Sequence, residues 1–286
     1  MVLLYIPPVQ NLLRREVTAY ASKATGMQIQ VERIDLRFPL NLLVRGVEVI
    51  QQPDTLLSLE SLNVRVQAWP LLKGKVEVDE VTLSQVAVNS ANLIEGMQIK
   101  GVLGRFFLQS HGVDLSNETA VVNRTELSDT HIQLLMTDTT TTPKDTTASA
   151  PVNWKVNLHQ LKLKNVSFGM KLPADSMKMA AYIGEATIDD AKADLKNQFY
   201  GLKQFLLSGA SASYDTGEAQ PSEGFDASHM AVRNIRIGLD SLLYEGRNMN
   251  AVIREITMEE RSGLSITSLT GRLFSNDSII RIPELK

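Results

Sequence analysis

The feature that most constrains this chain is an alternation of apolar and polar residues that slips by one position at intervals. Between residues 27 and 88, apolar residues occupy every second position, and each run ends at two consecutive polar residues. These polar pairs are Glu32-Arg33, Glu60-Ser61, Asp79-Glu80 and Ser84-Gln85. An uncorrected slip of one residue moves all later apolar side chains to the other face of a strand. A bulge or turn at each pair keeps them on one face and bends the sheet.

We therefore predict a mainly β fold: a long, curved antiparallel sheet that forms an open groove, with one N-terminal amphipathic helix. A sheet with one apolar face has to hide that face. The pattern leaves open closure into a barrel, packing as a sandwich, or a groove that holds an apolar ligand. In the groove alternative, aliphatic side chains line a channel for acyl chains, at about 0.8 kcal/mol per buried methylene. The candidate lining residues are Ile29, Val31, Ile34, Leu36, Leu57, Leu59, Leu62, Val64, Val66, Val76, Val78, Val81, Leu83, Val156, Leu158, Leu161 and Leu163.

One capping helix is predicted over residues 8–26. Pro8 suits the first helical turn, Gly26 suits a C-terminal stop, and between them one stripe recurs at spacings of three and four residues. The stripe consists of Val9, Leu12, Leu13, Glu16, Val17, Tyr20 and Ala24. The helix either packs against the sheet or lies at a membrane interface, with Arg14 and Arg15 near lipid head groups.

Residues 1–7 begin with an apolar run that is too short to cross a bilayer, which takes about 20 residues. We interpret them as the remnant of an N-terminal membrane anchor, the alternative being a first strand or a disordered end. Residues 27–286 are predicted to form one continuous β-groove region, with polar loop insertions near 137–153 and 214–230. The strand pattern continues to the last residues, so further strands are expected to follow in the native protein.

The amino-acid composition and the absence of known motifs exclude several classes of function. The chain has no cysteine, which excludes disulfides, cysteine-ligated metals and thiol catalysis. A net charge of -3 and 6% aromatic residues are poor for a nucleic-acid surface. The four histidines show no metal-ligand spacing, and no phosphate-binding glycine loop or nucleophilic triad is recognisable. We therefore predict a protein that is not an enzyme and uses no metal or cofactor, a hydrolase with an unrecognised site being the weakest alternative.

Several segments resemble the AsmA-like superfamily, and most closely the N-terminal part of a TamB (translocation and assembly module) protein. The resembling segments follow the apolar N-terminus in order: Val9-Gln-Asn-Leu-Leu-Arg-Arg-Glu16, Ala24-Thr-Gly-Met-Gln-Ile-Gln-Val31, Leu43-Val-Arg-Gly-Val-Glu-Val49 and Pro70-Leu-Leu-Lys-Gly-Lys-Val-Glu-Val-Asp-Glu-Val-Thr-Leu83. The C-terminal stretch Gly263-Leu-Ser-Ile-Thr-Ser-Leu-Thr-Gly-Arg-Leu273 resembles strand repeats of the same superfamily.

The resemblance implies a single-pass inner-membrane protein of diderm bacteria whose bulk lies in the periplasm. It implies that phospholipid acyl chains move along an apolar β-groove between the inner and outer membranes, which supports outer-membrane biogenesis. The expected partners are phospholipid, the inner membrane and possibly an outer-membrane barrel protein, with no nucleic acid. The alternative from a different class is a scaffold for outer-membrane protein translocation and assembly that binds partners through its sheet edges.

Overall fold

One sheet of fourteen strands and one N-terminal helix make up the described part of a computed structural model of the chain. The structure describes residues 7–67, 69, 77–90, 93–94, 96–114, 117–136, 153–217, 220–283 and 286. The elements are α1 (Pro7–Thr25), β1 (Gln28–Arg37), β2 (Asn41–Gln51), β3 (Asp54–Val66), β4 (Val78–Asn89), β5 (Met97–Asp114), β6 (Thr119–Met136), β7 (Lys155–Leu172), β8 (Met177–Asp194), β9 (Phe199–Leu202), β10 (Gln204–Asp215), β11 (His229–Glu245), β12 (Asn248–Glu260), β13 (Ser265–Ser275) and β14 (Ile280–Arg281). A 3-10 turn, Pro173–Asp175, joins β7 to β8.

The strands lie side by side in chain order, so almost every pair is an antiparallel neighbour joined by a turn. β9 and β10 act as one strand interrupted at Lys203, because both run between β8 and β11. One junction departs from the all-antiparallel prediction: β6 and β7 are parallel, with Thr119 opposite Lys155 and Leu135 opposite Lys171. The mainly β prediction is confirmed, but the sheet consists of two antiparallel halves joined by a parallel pair.

The sheet is folded along a line that crosses ten strands, which we call the crease. One residue per strand belongs to it: Glu32, Gly46, Glu60, Gln85, Gly104, Asp129, Asn165, Gly184, Gly209 and Asn234. In β2, β4, β6, β7, β10 and β11 the crease residue has a left-handed backbone with φ between 50° and 61°. Glycine, asparagine and aspartate tolerate that conformation best, and only Gln85 among the six departs from this set.

Burial at the crease shows which residues share a face. In β7, Leu163 and Val166 are half-buried, whereas Lys164 and Asn165 between them are exposed. Two outward residues in succession replace strict alternation, so the apolar residues on both sides of the crease point the same way. The slips predicted at Glu32, Glu60 and Gln85 lie on this line.

Close packing between neighbouring strands keeps their crease residues aligned. The side chain of Asp129 lies over Gly104, where an added Cβ would come within 2.7 Å of the Asp129 Cβ. Asn165 donates a hydrogen bond of 2.8 Å from Nδ2 to Oδ1 of Asp129 on the neighbouring strand. A side chain on residue 104 would therefore displace the hydrogen-bonded pair.

Helix α1 covers the free edge of the sheet at β1. Gln10 donates from Nε2 to the carbonyl oxygen of Leu36 (3.0 Å), and Arg14 donates from Nη1 to the carbonyl oxygen of Glu32 (2.7 Å). The backbone N–H of Ile29 donates to Oγ of Ser22 (3.0 Å). These bonds satisfy backbone groups that an edge strand otherwise presents to another chain.

Some predicted features fall on residues that the structure does not describe, and two others differ from the structure. Residues 1–6, residues 137–152 and the side chains of Val9, Leu12, Leu13 and Val17 lie outside the described residues. Tyr20, predicted on the packed stripe of the helix, is 77% exposed, because the helix meets β1 through polar side chains. The second polar loop is shorter than predicted, since β10 extends to Asp215 and β11 begins at His229.

We expect Gly104→Ala to lower the free energy of unfolding by about 1–3 kcal/mol, as overpacking does. The added methyl meets the Cβ and carbonyl oxygen of Asp129 at 2.7 and 2.9 Å. Urea unfolding followed by circular dichroism measures the change. Gly169→Ala in β7, two strands away, is the matched control, since its new methyl has no neighbour closer than 3.9 Å. Equal stability of the two variants would contradict a packed crease.

We expect the double variant Gln10→Ala/Arg14→Ala to self-associate, because it uncovers two carbonyl oxygens on the edge of β1. Light scattering across a concentration series measures association. Arg15→Ala is the control, since this exposed neighbour makes no hydrogen bond to β1 among the described contacts. A double variant that scatters like the control would show that α1 does not protect the edge.

Candidate functional site

The candidate site is the apolar face of the sheet, and its main component is a row of apolar residues that crosses twelve strands. Each member lies directly opposite the next in the register, so all share one face. The row is Ile34, Val44, Leu62, Leu83, Phe106, Leu127, Leu163, Ala186, Leu207, Ile237, Ile256 and Leu269. At about 4.8 Å between strands, this central row is about 50 Å long.

A second row runs beside it, two residues away in each strand except β12, where a register shift makes the spacing three. It contains one polar side chain, Thr125, and ends at Gly271: Leu36, Leu42, Val64, Val81, Leu108, Thr125, Leu161, Ile188, Phe205, Leu239, Ile253 and Gly271. On the other side of the crease, Val31 and Leu59 belong to a further row through Val47 and Val86. The apolar rows therefore continue on both sides of the crease.

The register brings together every predicted lining residue that the structure describes. Ile29 and Leu57 share a row through Val49. Val66 lies opposite Val78, and the bulge at Asp79 and Glu80 returns Val81 to the same face. Val156 and Leu158 lie beyond a second bend, at His159, and face Ala193 and Ala191. Val76 lies outside the described residues.

The apolar face is only partly hidden. In the central row Ile34 and Ala186 are buried, at 7% and 4% exposure, and the other ten residues are partly exposed. Towards one rim the face is open, with Ile132 and Phe168 each 40% exposed. Two sheet faces packed as a sandwich would bury such residues, so the described residues do not form a sealed core.

No large side chain among those described is fully buried. The fold thus leaves much of its apolar area accessible, and an apolar ligand can occupy a surface of this kind.

One cavity lies along the rim where strands β6, β7, β10 and β12 end and β8, β11 and β13 begin. This rim cavity has a volume of 1170 Å³. Apolar-face residues Phe168, Met170 and Met179 border it, together with the opposite-face row His131, Ser167, Tyr182 and Ser211. The sequence did not predict this cavity, because its residues are far apart in the chain and only the register unites them.

A smaller cavity of 790 Å³ lies at the second bend, beside Asp190. Lys203 donates to one carboxylate oxygen of Asp190 (2.8 Å), and Nδ1 of His159 lies 3.1 Å from the other. The hydrogen bond from Lys203 is the main cause that lowers the pKa of Asp190, followed by the one from His159. The carboxylate therefore holds the interrupted β9–β10 strand to β8 and β7.

The described residues include no group of three or more histidine, aspartate and glutamate side chains placed to hold a metal. In the same part of the chain, no helix combines the length and apolarity needed to cross a membrane. Comparison with family models gives no match, and a search of curated proteins finds no relative. The resemblance to AsmA-like proteins therefore stays a prediction.

We expect apolar-face truncations to cost less where the face is open. Phe168→Ala should lower the free energy of unfolding by less than about 1.5 kcal/mol, whereas Leu59→Ala, at 9% exposure, should cost about 2–4 kcal/mol. Urea titrations of both variants and the parent measure the difference. A loss of 3 kcal/mol or more at Phe168, roughly that of a core phenylalanine, would mean that the open rim is closed in solution.

Proposed function

We propose that this chain binds phospholipid acyl chains along its apolar face and conducts phospholipid between the inner and outer membranes of a diderm bacterium. The central apolar row is the observation that carries the proposal. It offers about 50 Å of continuous, accessible aliphatic surface, and only one polar side chain stands in the row beside it. Such a lining favours hydrocarbon without selecting one acyl chain, because it has no fixed polar groups to orient a ligand.

The cellular setting of the proposal comes from the resemblance to AsmA-like proteins. In that setting an N-terminal anchor holds the chain at the inner membrane and the sheet extends into the periplasm. The helix α1 would stand at the membrane end of the sheet, where it covers the edge of β1. The proposed step, the transfer of an intact lipid, requires no catalytic group.

A second candidate function is a scaffold that binds a partner protein by adding a strand to the sheet. The opposite edge favours it, because β14 is two residues long and Ile280 is 72% exposed. An outer-membrane barrel protein in assembly would be the partner. Loss of partner binding after proline substitution in β13, with lipid binding unchanged, would favour this candidate.

The first proposal predicts that phospholipid co-purifies with the chain and that Leu83→Asp removes it. A carboxylate among acyl chains costs well over the roughly 1.4 kcal/mol that corresponds to a tenfold change. We therefore expect at least about a tenfold drop in bound phospholipid, measured by mass spectrometry after organic extraction.

Thr82→Asp is the matched control, since the neighbouring residue of β4 faces the opposite side and lies across from Phe107 rather than Phe106. Circular dichroism establishes that both variants fold. Phospholipid retained by folded Leu83→Asp, or absent from the parent protein, would refute acyl-chain binding on the apolar face.

A further inference from the structure

The rim cavity carries an excess of positive charge on a chain whose net charge is -3. Five cationic side chains line it, against three carboxylates. The cations are Lys100, Lys171, Lys178, Arg233 and Arg261, and the carboxylates are Asp215, Glu259 and Glu260. The local surplus is opposite in sign to the whole chain, so an anionic ligand would be attracted to this rim in particular.

Two of the three carboxylates already have partners. Glu259 accepts a hydrogen bond of 3.0 Å from Nε of Arg233. Glu260 is 7% exposed and accepts hydrogen bonds from the backbone N–H groups of Ser262 (2.7 Å) and Ala231 (3.3 Å). The bonds from Ser262 are the main cause of a lowered pKa at Glu260, which stays ionised within the turn. Glu259 is therefore paired with Arg233, Glu260 keeps its negative charge within the turn, and the cavity as a whole retains a surplus of two positive charges.

Lys171, Lys178 and Asp215 form one row across β7, β8 and β10, in which Lys178 lies directly opposite each of the other two. Like charges in direct opposition destabilise a strand pair, whereas opposite charges stabilise it. Lys171 and Lys178 are the like-charged pair of this row. Both side chains are exposed, and among the described residues neither makes an ion pair within 4.0 Å. A bound anion between the two ammonium groups would relieve their repulsion.

The surface between the charges is made of small residues. Gly169, Ala180, Ser213 and Ala231 form one row across four strands. An added Cβ on Gly169 would meet no atom closer than 3.9 Å, so the row leaves room for a ligand above the sheet. Phe168 and Met179, 40% and 38% exposed, border the same cavity from the apolar face, whereas Lys171, Lys178 and the row of small residues lie on the opposite face of the sheet. A lipid that contacts both would therefore pass around the rim where β7 ends and β8 begins.

We propose that the rim cavity binds the anionic head group of a phospholipid whose acyl chains lie on the apolar face. The inference rests on the proposed function and adds selectivity to it. Lys171 and Lys178 would contact the phosphate, with Lys100 and Arg261 nearby. The apolar face accepts any acyl chain, so anionic lipids such as phosphatidylglycerol would be preferred through this rim alone.

The test compares Lys171→Gln/Lys178→Gln with the parent in binding to sedimented vesicles. One set of vesicles contains phosphatidylglycerol in phosphatidylcholine, and the other contains phosphatidylcholine alone. Since each lysine near an anionic lipid surface contributes about 1 kcal/mol, we expect about tenfold or greater loss of binding to the anionic vesicles and little change with the neutral ones. Circular dichroism establishes that the double variant folds like the parent.

Lys162→Gln/Lys164→Gln is the control, since it removes the same charge from the same strand outside the rim cavity. An equal loss in both double variants would overturn the proposal in favour of general electrostatic attraction. Equal parental binding to both vesicles would overturn head-group selection and leave acyl-chain binding standing. Absence of binding to either would contradict the proposed function as well. Stabilisation by inorganic phosphate, not reproduced by chloride at equal ionic strength, would assign the cavity to free phosphate and also overturn the proposal.

Discussion

The fold depends on a backbone bend that repeats at the same level in ten neighbouring strands. Without it, a strand with this sequence would carry half of its apolar residues on each face, since side chains alternate strictly along extended backbone. The left-handed residues of the crease place two polar residues in succession on the outside. The apolar rows on both sides of the bend then share one face. Lateral contacts such as Asn165 to Asp129 and the fit of Gly104 under Asp129 keep neighbouring bends aligned.

A face assembled in this way stays accessible, and this has consequences for stability. Half-exposed aliphatic residues contribute only part of the 1.5–3 kcal/mol or so that complete burial provides. The sheet therefore depends more on its continuous hydrogen-bonded ladder and on protected edges than a compact domain does. Helix α1 protects the edge at β1 through hydrogen bonds made by the side chains of Gln10, Arg14 and Ser22. An apolar ligand on this face would supply the missing burial and would therefore raise the stability of the fold.

The sequence was sufficient to predict the slips in the strands and the residues of the apolar face, because each depends on residues close together in the chain. Polar pairs revealed the slips at Glu32 and Glu60, and alternation identified the lining residues, because both signals lie within a few residues of one another. The bend at Gly104 carries no polar pair, so only its contact with Asp129 reveals it. The parallel junction of β6 and β7 was missed, since alternation is the same for either strand direction.

The rim cavity could not be predicted from the sequence, because it depends on the register between strands that are far apart in the chain. Lys171 and Lys178 lie on either side of a turn and could have suggested a charged pair. The row of small residues beside them, however, comes from four strands that are far apart in the sequence. The prediction that Tyr20 belongs to a packed stripe of the helix was wrong. The helix contacts β1 through backbone groups of the strand, and such contacts leave no pattern of apolar residues in the sequence. Long-range register, rather than composition, therefore decides where ligands can bind on this sheet.

The most direct test is a scan of the crease with an environment-sensitive fluorophore. The chain has no cysteine, so single cysteines at residues 163, 164, 165 and 166 of β7 can each be labelled uniquely and measured with and without phospholipid. We expect blue-shifted emission on lipid addition at the half-buried positions Leu163 and Val166, and no shift at the exposed positions Lys164 and Asn165. Responses that alternate, with residues 163 and 165 alike and 164 and 166 alike, or no response at any of the four, would contradict a crease that gathers the apolar residues onto one lipid-accessible face.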